Sequence, residues 1–270
     1  MSTPLRMALR WAILLLVIVL AGCGTNTAPT PTPPNARALI DRAAAEVQNV
    51  SALRFKLQLT GAPAFIDNAN LISFVAADGS YIAPDKVSGK VSAAVAGVPG
   101  QIDIVAVGND QFMKHILLTG NRWLKQQFSP GFNADTLIRG EQGIKFALDR
   151  MQGIELIGTE DLFGTQMWHI VGTAPVADIS AVTVGLIRGT GTAKTDIYIN
   201  VQTGRVERIV LVQPETVTPQ NPDPTTWTLE LFDYGDPRIV IDVPAAEEPP
   251  PSTPGGLNVP DIAPTRSSTD

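Results

Sequence analysis

The sequence predicts an α+β domain in which a large antiparallel sheet packs against two or three helices. Three observations carry that reading. Apolar and polar residues alternate with period two over many short stretches, of which Leu53–Leu59 is the clearest. The gaps between these stretches are short and hold Gly, Asn or Asp, so neighbouring strands join as antiparallel hairpins rather than through crossover helices. Few stretches follow the helical period, and none of them alternates regularly with single strands.

Each element has its own signal. Asn35 is a candidate helix N-cap, and Leu39, Ala43 and Val47 fall on one face with Ile40 beside them. The period then changes: Leu53, Phe55, Leu57 and Leu59 alternate with Arg54, Lys56 and Gln58, a strand with one apolar face. Further strands are predicted near 70–77, 87–95, 101–107, 111–114 and 122–125. Asp78-Gly79, Gly97, Gly108-Asn109 and Gly120-Asn121 mark turns among them. A second helix is expected over 142–152, where Ile144, Ala147, Leu148 and Met151 share a face. Strands return at 154–160 and 166–172, and 179–187 reads as a third, short helix. Strands at 194–200, 205–212 and 226–231 follow, with a terminal strand at 238–242. The loop 213–224 is long and Pro-rich.

The two ends differ from the middle. Arg6 and Arg10 precede an unbroken apolar run from Trp11 to Leu20. A basic start, a short apolar core and small residues before a cleavage point describe a secretory signal, and the run is too short for an ordinary membrane-spanning helix. Leu20-Ala21-Gly22-Cys23 at its end resembles the lipobox of bacterial lipoproteins, which implies acylation of the Cys23 thiol and cleavage before it. An uncleaved anchor helix ending at Cys23 is the competing reading. The expected organisation is a signal peptide over 1–22, the lipidated Cys23 with a Pro/Thr-rich tether over 23–35, one domain over 36–244, and a Pro-rich, disordered tail over 245–270. Cys23 is the one cysteine, so its lipidation leaves none for a disulfide.

Charge narrows the partners. Without Arg6 and Arg10 the 20 basic residues become 18 against 26 acidic ones, a balance of −8. Such a chain makes a poor nucleic-acid binder and gains little from anionic lipid heads, so attachment to a membrane has to come from acyl chains. No catalytic constellation is evident. His115 and His169 fall in strand stretches with no Cys or carboxylate at ligand spacing, which reads as structural or exposed histidine and gives no metal site. There is no Gly-x-Ser-x-Gly elbow. Gly189-Thr190-Gly191-Thr192-Ala193-Lys194 lacks the Gly before Lys that a phosphate loop needs, and it precedes a strand. The residues imply no cofactor and no enzyme activity.

The strand Val91-Ser92-Ala93-Ala94-Val95-Ala96 is built from small side chains, and its neighbour Ile102–Val107 is apolar on much of both faces. A face of small apolar residues is covered by a closely packed helix or leaves a cavity; both readings stand. A retained apolar cavity would imply an apolar ligand.

Four stretches together resemble the LppX/LprA/LprF/LprG lipoproteins of mycobacteria and their relatives. They are the lipobox and tether followed by Ala43–Phe55; Gly108–Met113 with Asn121–Leu124; Thr195–Val206; and Leu229–Pro237. The last two are the most specific. The long loop 213–224 and the Pro-rich tail depart from the pattern. The resemblance implies a half-barrel, one curved antiparallel sheet wrapped against helices in a LolA/LolB-like fold, with an apolar cavity between sheet and helices. It also implies a role in binding acylated lipids or glycolipids and carrying them through the envelope, with an integral membrane transporter as a further partner. On that reading Phe55, Leu57, Phe74, Val91, Ala93, Val95, Ile102, Ile104, Phe112, Ile144, Leu148 and Met151 are the candidate cavity residues. A membrane-tethered envelope sensor with a LolA-like ligand-binding domain is the alternative function, and a passive envelope protein is a third.

The lipobox reading is testable by itself. Cys23→Ser is expected to leave an uncleaved precursor that takes up no labelled fatty acid. A mutant still processed after Gly22 and still acylated contradicts the reading.

Overall fold

The computed structural model describes residues 34–66, 70–126, 134–138 and 143–247. Cys23, the signal stretch, the tether up to residue 33 and the tail from residue 248 lie outside the described residues. The chain divides into two units, Met1–Pro34 and Asn35–Asp270. Everything below concerns the second.

The strands are β1 (Ala52–Thr60), β2 (Ala64–Phe65), β3 (Ile72–Ile82), β4 (Lys86–Val95), β5 (Val98–Val107), β6 (Asp110–Lys114), β7 (Leu124–Lys125), β8 (Gln152–Leu162), β9 (Thr165–Pro175), β10 (Thr192–Asn200), β11 (Val206–Gln213) and β12 (Thr225–Phe232). They form one open, antiparallel, curved sheet in the order β7-β6-β5-β4-β3-β1-β12-β11-β10-β9-β8, with β2 paired to β3. Antiparallel pairing of strands that follow one another in sequence gives the order on either side of β1 and β12, by short hairpins at β3–β4–β5–β6, β8–β9 and β10–β11 and by longer connections elsewhere, and the pairing of β1 with β12 joins the halves.

Four helical segments are described: α1 (Ala36–Gln48), α2 (Ala134–Ile138), α3 (Ile144–Asp149) and α4 (Val176–Ile179). Asn35 caps α1, its Oδ1 accepting from the Ala38 N–H at 3.2 Å. Ile40, Ala43, Ala44 and Val47 turn into the core. α3 is shorter than the expected 142–152. The third helix begins at Val176 rather than Ile179, and continues as a 3₁₀ turn over Ser180–Thr183. α2 had no sequence signal. No described helix is long and apolar enough to cross a membrane.

The core lies on one face of the sheet, called the inner face here. Leu53, Leu57, Tyr81, Val87, Ala106, Ile170, Ile197, Ile199, Ile209, Leu211, Trp227, Leu229 and Leu231 pack there against α1, α3 and α4. A smaller cluster on the same face joins Ala93, Ile102 and Met113.

The expected terminal strand at 238–242 is not formed. Instead the chain crosses the opposite, outer face, where Ile241 packs on Val105 and Phe112. It stays attached as far as Glu247. The Lys125 N–H donates to Glu247 O and the Glu247 N–H donates to Trp123 O, both at 2.9 Å. Through these bonds the segment supplies a partner for the outward backbone groups of the edge strand β7.

A latch holds the first helix to the far end of the sheet. The buried Tyr234 hydroxyl donates to Val206 O, and burial pushes its pKa up. Arg205 lies over the Tyr234 ring and reaches Glu46 of α1 at 3.8 Å. Arg42 covers Gly204, where a Cβ would come within 2.6 Å of the guanidinium Nε. Asn200 Oδ1 accepts from the Gln202 and Thr203 N–H groups and shapes the turn.

Candidate apolar binding face

Residues that oppose one another across neighbouring strands share a face, so the register assigns the candidate residues. Phe55 stands opposite Gly79 and Leu231, and Leu57 opposite Ala77 and Leu229. Phe74 opposes Ala93, Ala77 opposes Val91, and Ile72 opposes Val95. Val91 opposes Ile102, and Gly89 opposes Ile104. These residues therefore all point to the inner face. Ile144 and Leu148 reach it from α3, and Met151 from the residue before β8.

Phe112 is the correction. It opposes Val105 and packs with Ile241 on the outer face, whereas Met113, opposite Ile104, is the β6 residue on the inner face. A strand side is decided by one residue of register, and the apolar pair Phe112-Met113 gives no alternation from which to choose.

The small-residue strip is filled. Phe55 lies over Gly79, where a Cβ would stand 2.3 Å from its Cζ, and Ile104 lies over Gly89. Ala93 is 3% exposed beneath Ile66, Ile102 and Met113. The strip is filled by side chains of neighbouring strands and Ile66 rather than by the closely packed helix that one of the two readings expected.

Between the helices and β10–β11 a cavity of ≈ 10 Å³ remains, lined by Ala147, Leu148, Met151, Ile179, Val182, Thr195, Ile197, Ile209 and Leu211. That is about the space of one water, against roughly 300–1,000 Å³ for a ligand pocket. The helices are closed on the sheet. Two polar atoms interrupt the apolar inner face. Among the described residues, Thr195 Oγ1 and Trp227 Nε1 are buried without a hydrogen-bond partner. They belong to one cross-strand row, because Thr195 opposes Leu211 and Leu211 opposes Trp227. The Trp227 ring packs on Phe74 with centroids 5.5 Å apart. An unpartnered buried donor costs about 1–3 kcal/mol, which a ligand acceptor would recover.

The outer face is polar by comparison. His169 Nε2 lies 2.8 Å from Asp196 Oδ1, its Nδ1 lies 3.4 Å from Glu160 Oε2, and its ring stacks on Tyr198. Burial, followed by Glu160 and Asp196, raises the Tyr198 pKa. The carboxylates come from neighbouring strands, 9 and 27 residues away in sequence, which is why linear spacing did not reveal them. His115 sits just past the end of β6 rather than in a strand. A second volume of ≈ 160 Å³ near Leu162, Phe163 and Phe232 is lined by Glu207, Arg208 and Glu230. Its Arg208–Glu230 pair at 2.6 Å makes it unsuited to an acyl chain. Among the described residues no group of three or more His, Cys, Asp or Glu could hold a metal ion.

Comparison with known proteins comes to the same architecture. A family model described as LppX_LprAFG lipoprotein matches residues 35–240. The crystal structure of LprF from Mycobacterium bovis aligns with a TM-score of 0.59 at 12% identity, over 77% of this chain and 96% of that one. LppX from Mycobacterium tuberculosis aligns with a TM-score of 0.52 at 15% identity, over 78% and 100%. At such identities the likeness is one of fold. No curated protein sequence matches the chain.

Ala93→Trp separates packing from cavity. Because Ala93 sits in a filled cluster, the indole is expected to overpack it and lower unfolding stability by about 1–3 kcal/mol or more in a denaturant titration. An unchanged midpoint contradicts this placement.

Proposed function

Since the chain belongs to the LppX_LprAFG lipoprotein family, we propose that it is a lipid-anchored protein of the extracytoplasmic membrane face. It takes up an acylated lipid or glycolipid against its inner sheet face and carries it within or across the envelope. The observation that carries the reading is a continuous apolar sheet face covered largely by very short helices, with two unpartnered polar atoms among its buried residues. Each methylene moved into water costs roughly 0.8 kcal/mol, so a chain of about 16 carbons costs on the order of 12 kcal/mol to extract from a bilayer. A carrier has to offer equivalent apolar surface, and the inner face is the surface of that kind.

The chemistry is shielding and exchange, with no bond made or broken. The acyl chain takes the place of α3 and α4 side chains such as Leu148 and Ile179 against β10 and β11. An ester or amide carbonyl accepts from the Trp227 indole or the Thr195 hydroxyl, and the head group stays in water at the mouth. Cys23 supplies the anchor and an integral membrane transporter is the candidate delivery partner.

The test is lipid capture by the full chain, read by native mass spectrometry after mixing with a dipalmitoyl phospholipid. Wild type is expected to retain the lipid mass. Trp227→Phe removes the unpartnered donor but also shrinks a fully buried side chain, so the two effects on the stability of the free protein oppose each other, and lipid binding is expected to weaken by roughly tenfold. Failure of wild type to capture this or any acylated probe contradicts the carrier reading. Unchanged affinity in Trp227→Phe removes the indole from the site.

A further inference from the structure

Among the described residues thirteen large apolar side chains are exposed, and they are unevenly placed. One end of the sheet is formed by the end of β1, the starts of β3, β5 and β12, and the ends of β4, β6 and β11. The loops and strand ends at this end hold Leu71, Val98, Ile116, Leu117, Leu118, Val184 and Val217. Those at the other end contribute Phe163 and Phe232, and Val240 and Val243 lie on the segment that leaves β12. The densest patch is Ile116-Leu117-Leu118, three aliphatic residues in succession, with Ile116 69% and Leu117 71% exposed.

Their exposure is built in. His115 and Thr119, both buried, clamp the base of this loop. The Leu117 and Leu118 N–H groups donate to His115 Nδ1 at 3.2 Å, which leaves the ring proton on Nε2. The Thr119 N–H donates to His115 O at 3.0 Å, the His115 N–H donates to Thr119 Oγ1 at 2.9 Å, and Thr119 Oγ1 also lies 2.6 Å from Arg122 O. The His115 ring abuts Gly100, where a Cβ would come within 3.1 Å of Nε2. A loop pinned this way cannot fold its leucines inward.

Two further facts identify the occupant. First, α1 begins at this end: the Arg37 guanidinium donates to Met151 O at 2.6 Å, just before β8 starts. The segment from Cys23 therefore joins the domain here, and even fully extended its eleven residue steps to Pro34 reach about 40 Å. Second, the loop continues from Met113, which lies in the inner-face cluster with Ala93 and Ile102. With 26 acidic residues against 20 basic ones, attraction to anionic head groups adds little, so contact has to be apolar.

We propose that the Ile116–Leu118 loop inserts into the bilayer that holds the anchor, docking this end of the domain so that a lipid passes to the inner face without crossing water. The proposal rests on the lipid-anchored reading of Cys23. Interfacial insertion of exposed aliphatic side chains next to an acyl anchor supplies the second attachment that a single weak contact lacks.

The experiment uses the lipidated full chain in phosphatidylcholine vesicles containing a nitroxide lipid. A fluorophore is placed on the one free thiol of Leu117→Cys, with Ile116→Cys as a second site and Phe163→Cys as the control at the far end. Flotation with the vesicles reports the anchor independently, and a thermal melt reports folding. The expected result is severalfold stronger nitroxide quenching at 116 and 117 than at 163, with severalfold weaker quenching by iodide. If the chain floats and all three labels respond equally to iodide, the docking is overturned while the anchor stands. If the labels at 116 and 117 are shielded from both quenchers, another protein or a second copy covers the loop and the docking is likewise overturned. If the chain does not float, the anchor reading fails and the proposal fails with it.

Discussion

One face of an eleven-strand path has to be kept out of water, and the rest of the domain follows from that. Among the described residues this face is covered by one helix of 13 residues and three of 5, 6 and 4 residues. Helices so short are not stable by themselves; they persist because of what they bury. Cover and core are therefore the same interaction, and any ligand offering comparable apolar surface competes for it. In this structure the helices hold that face, with a cavity of ≈ 10 Å³ between them and β10–β11.

The cover is unevenly held. α1 is capped by Asn35, tied to Met151 by Arg37, and latched to the β10–β11 turn through Arg42 and Glu46. α3 and α4 start at Gly143 and Pro175 without a side-chain cap, and among the described residues the ion pair on α3, Lys145 with Asp149, is internal to the helix. Lifting α3 with α4 while α1 stays in place would have to break the α1–α3 packing and the Arg37 bond to Met151, just past the end of α3. α3 and α4, with the 3₁₀ turn, face the row of Thr195, Ile197, Ile209 and Leu211 that lines the small cavity.

Much of this was legible in the sequence, for reasons that can be named. A strand of alternating residues such as Leu53–Leu59 announces both its existence and its buried side. The turn before Val206 is legible because Asn200 and Gly204 do jobs few other residues can do: Asn200 accepts two backbone N–H groups, and Gly204 has φ of +74°. Together with the Tyr234 contact to Val206, this explains physically why the segments Thr195–Val206 and Leu229–Pro237 carried the resemblance most specifically. These contacts secure the scaffold. The remainder was hidden because it depends on tertiary partners. The side of Phe112 is set by register with Val105, the path of 238–247 by an outer face in need of cover, and the carboxylates around His169 by strand neighbours. Nor could a filled strip be told from a hollow one, since Phe55 over Gly79 and an acyl chain over Gly79 require the same small residue.

The central claim is that lipid and short helices exchange for one another on the inner face. Hydrogen–deuterium exchange of the full chain, with and without a bound dipalmitoyl phospholipid, addresses it most directly. The account predicts that amides of Ile144–Asp149 and Val176–Thr183 lose protection when the lipid is bound, while those of α1, β1 and β10–β12 keep theirs. Stoichiometric lipid binding with α3 and α4 as protected as before would contradict it, and would place the ligand elsewhere on the molecule.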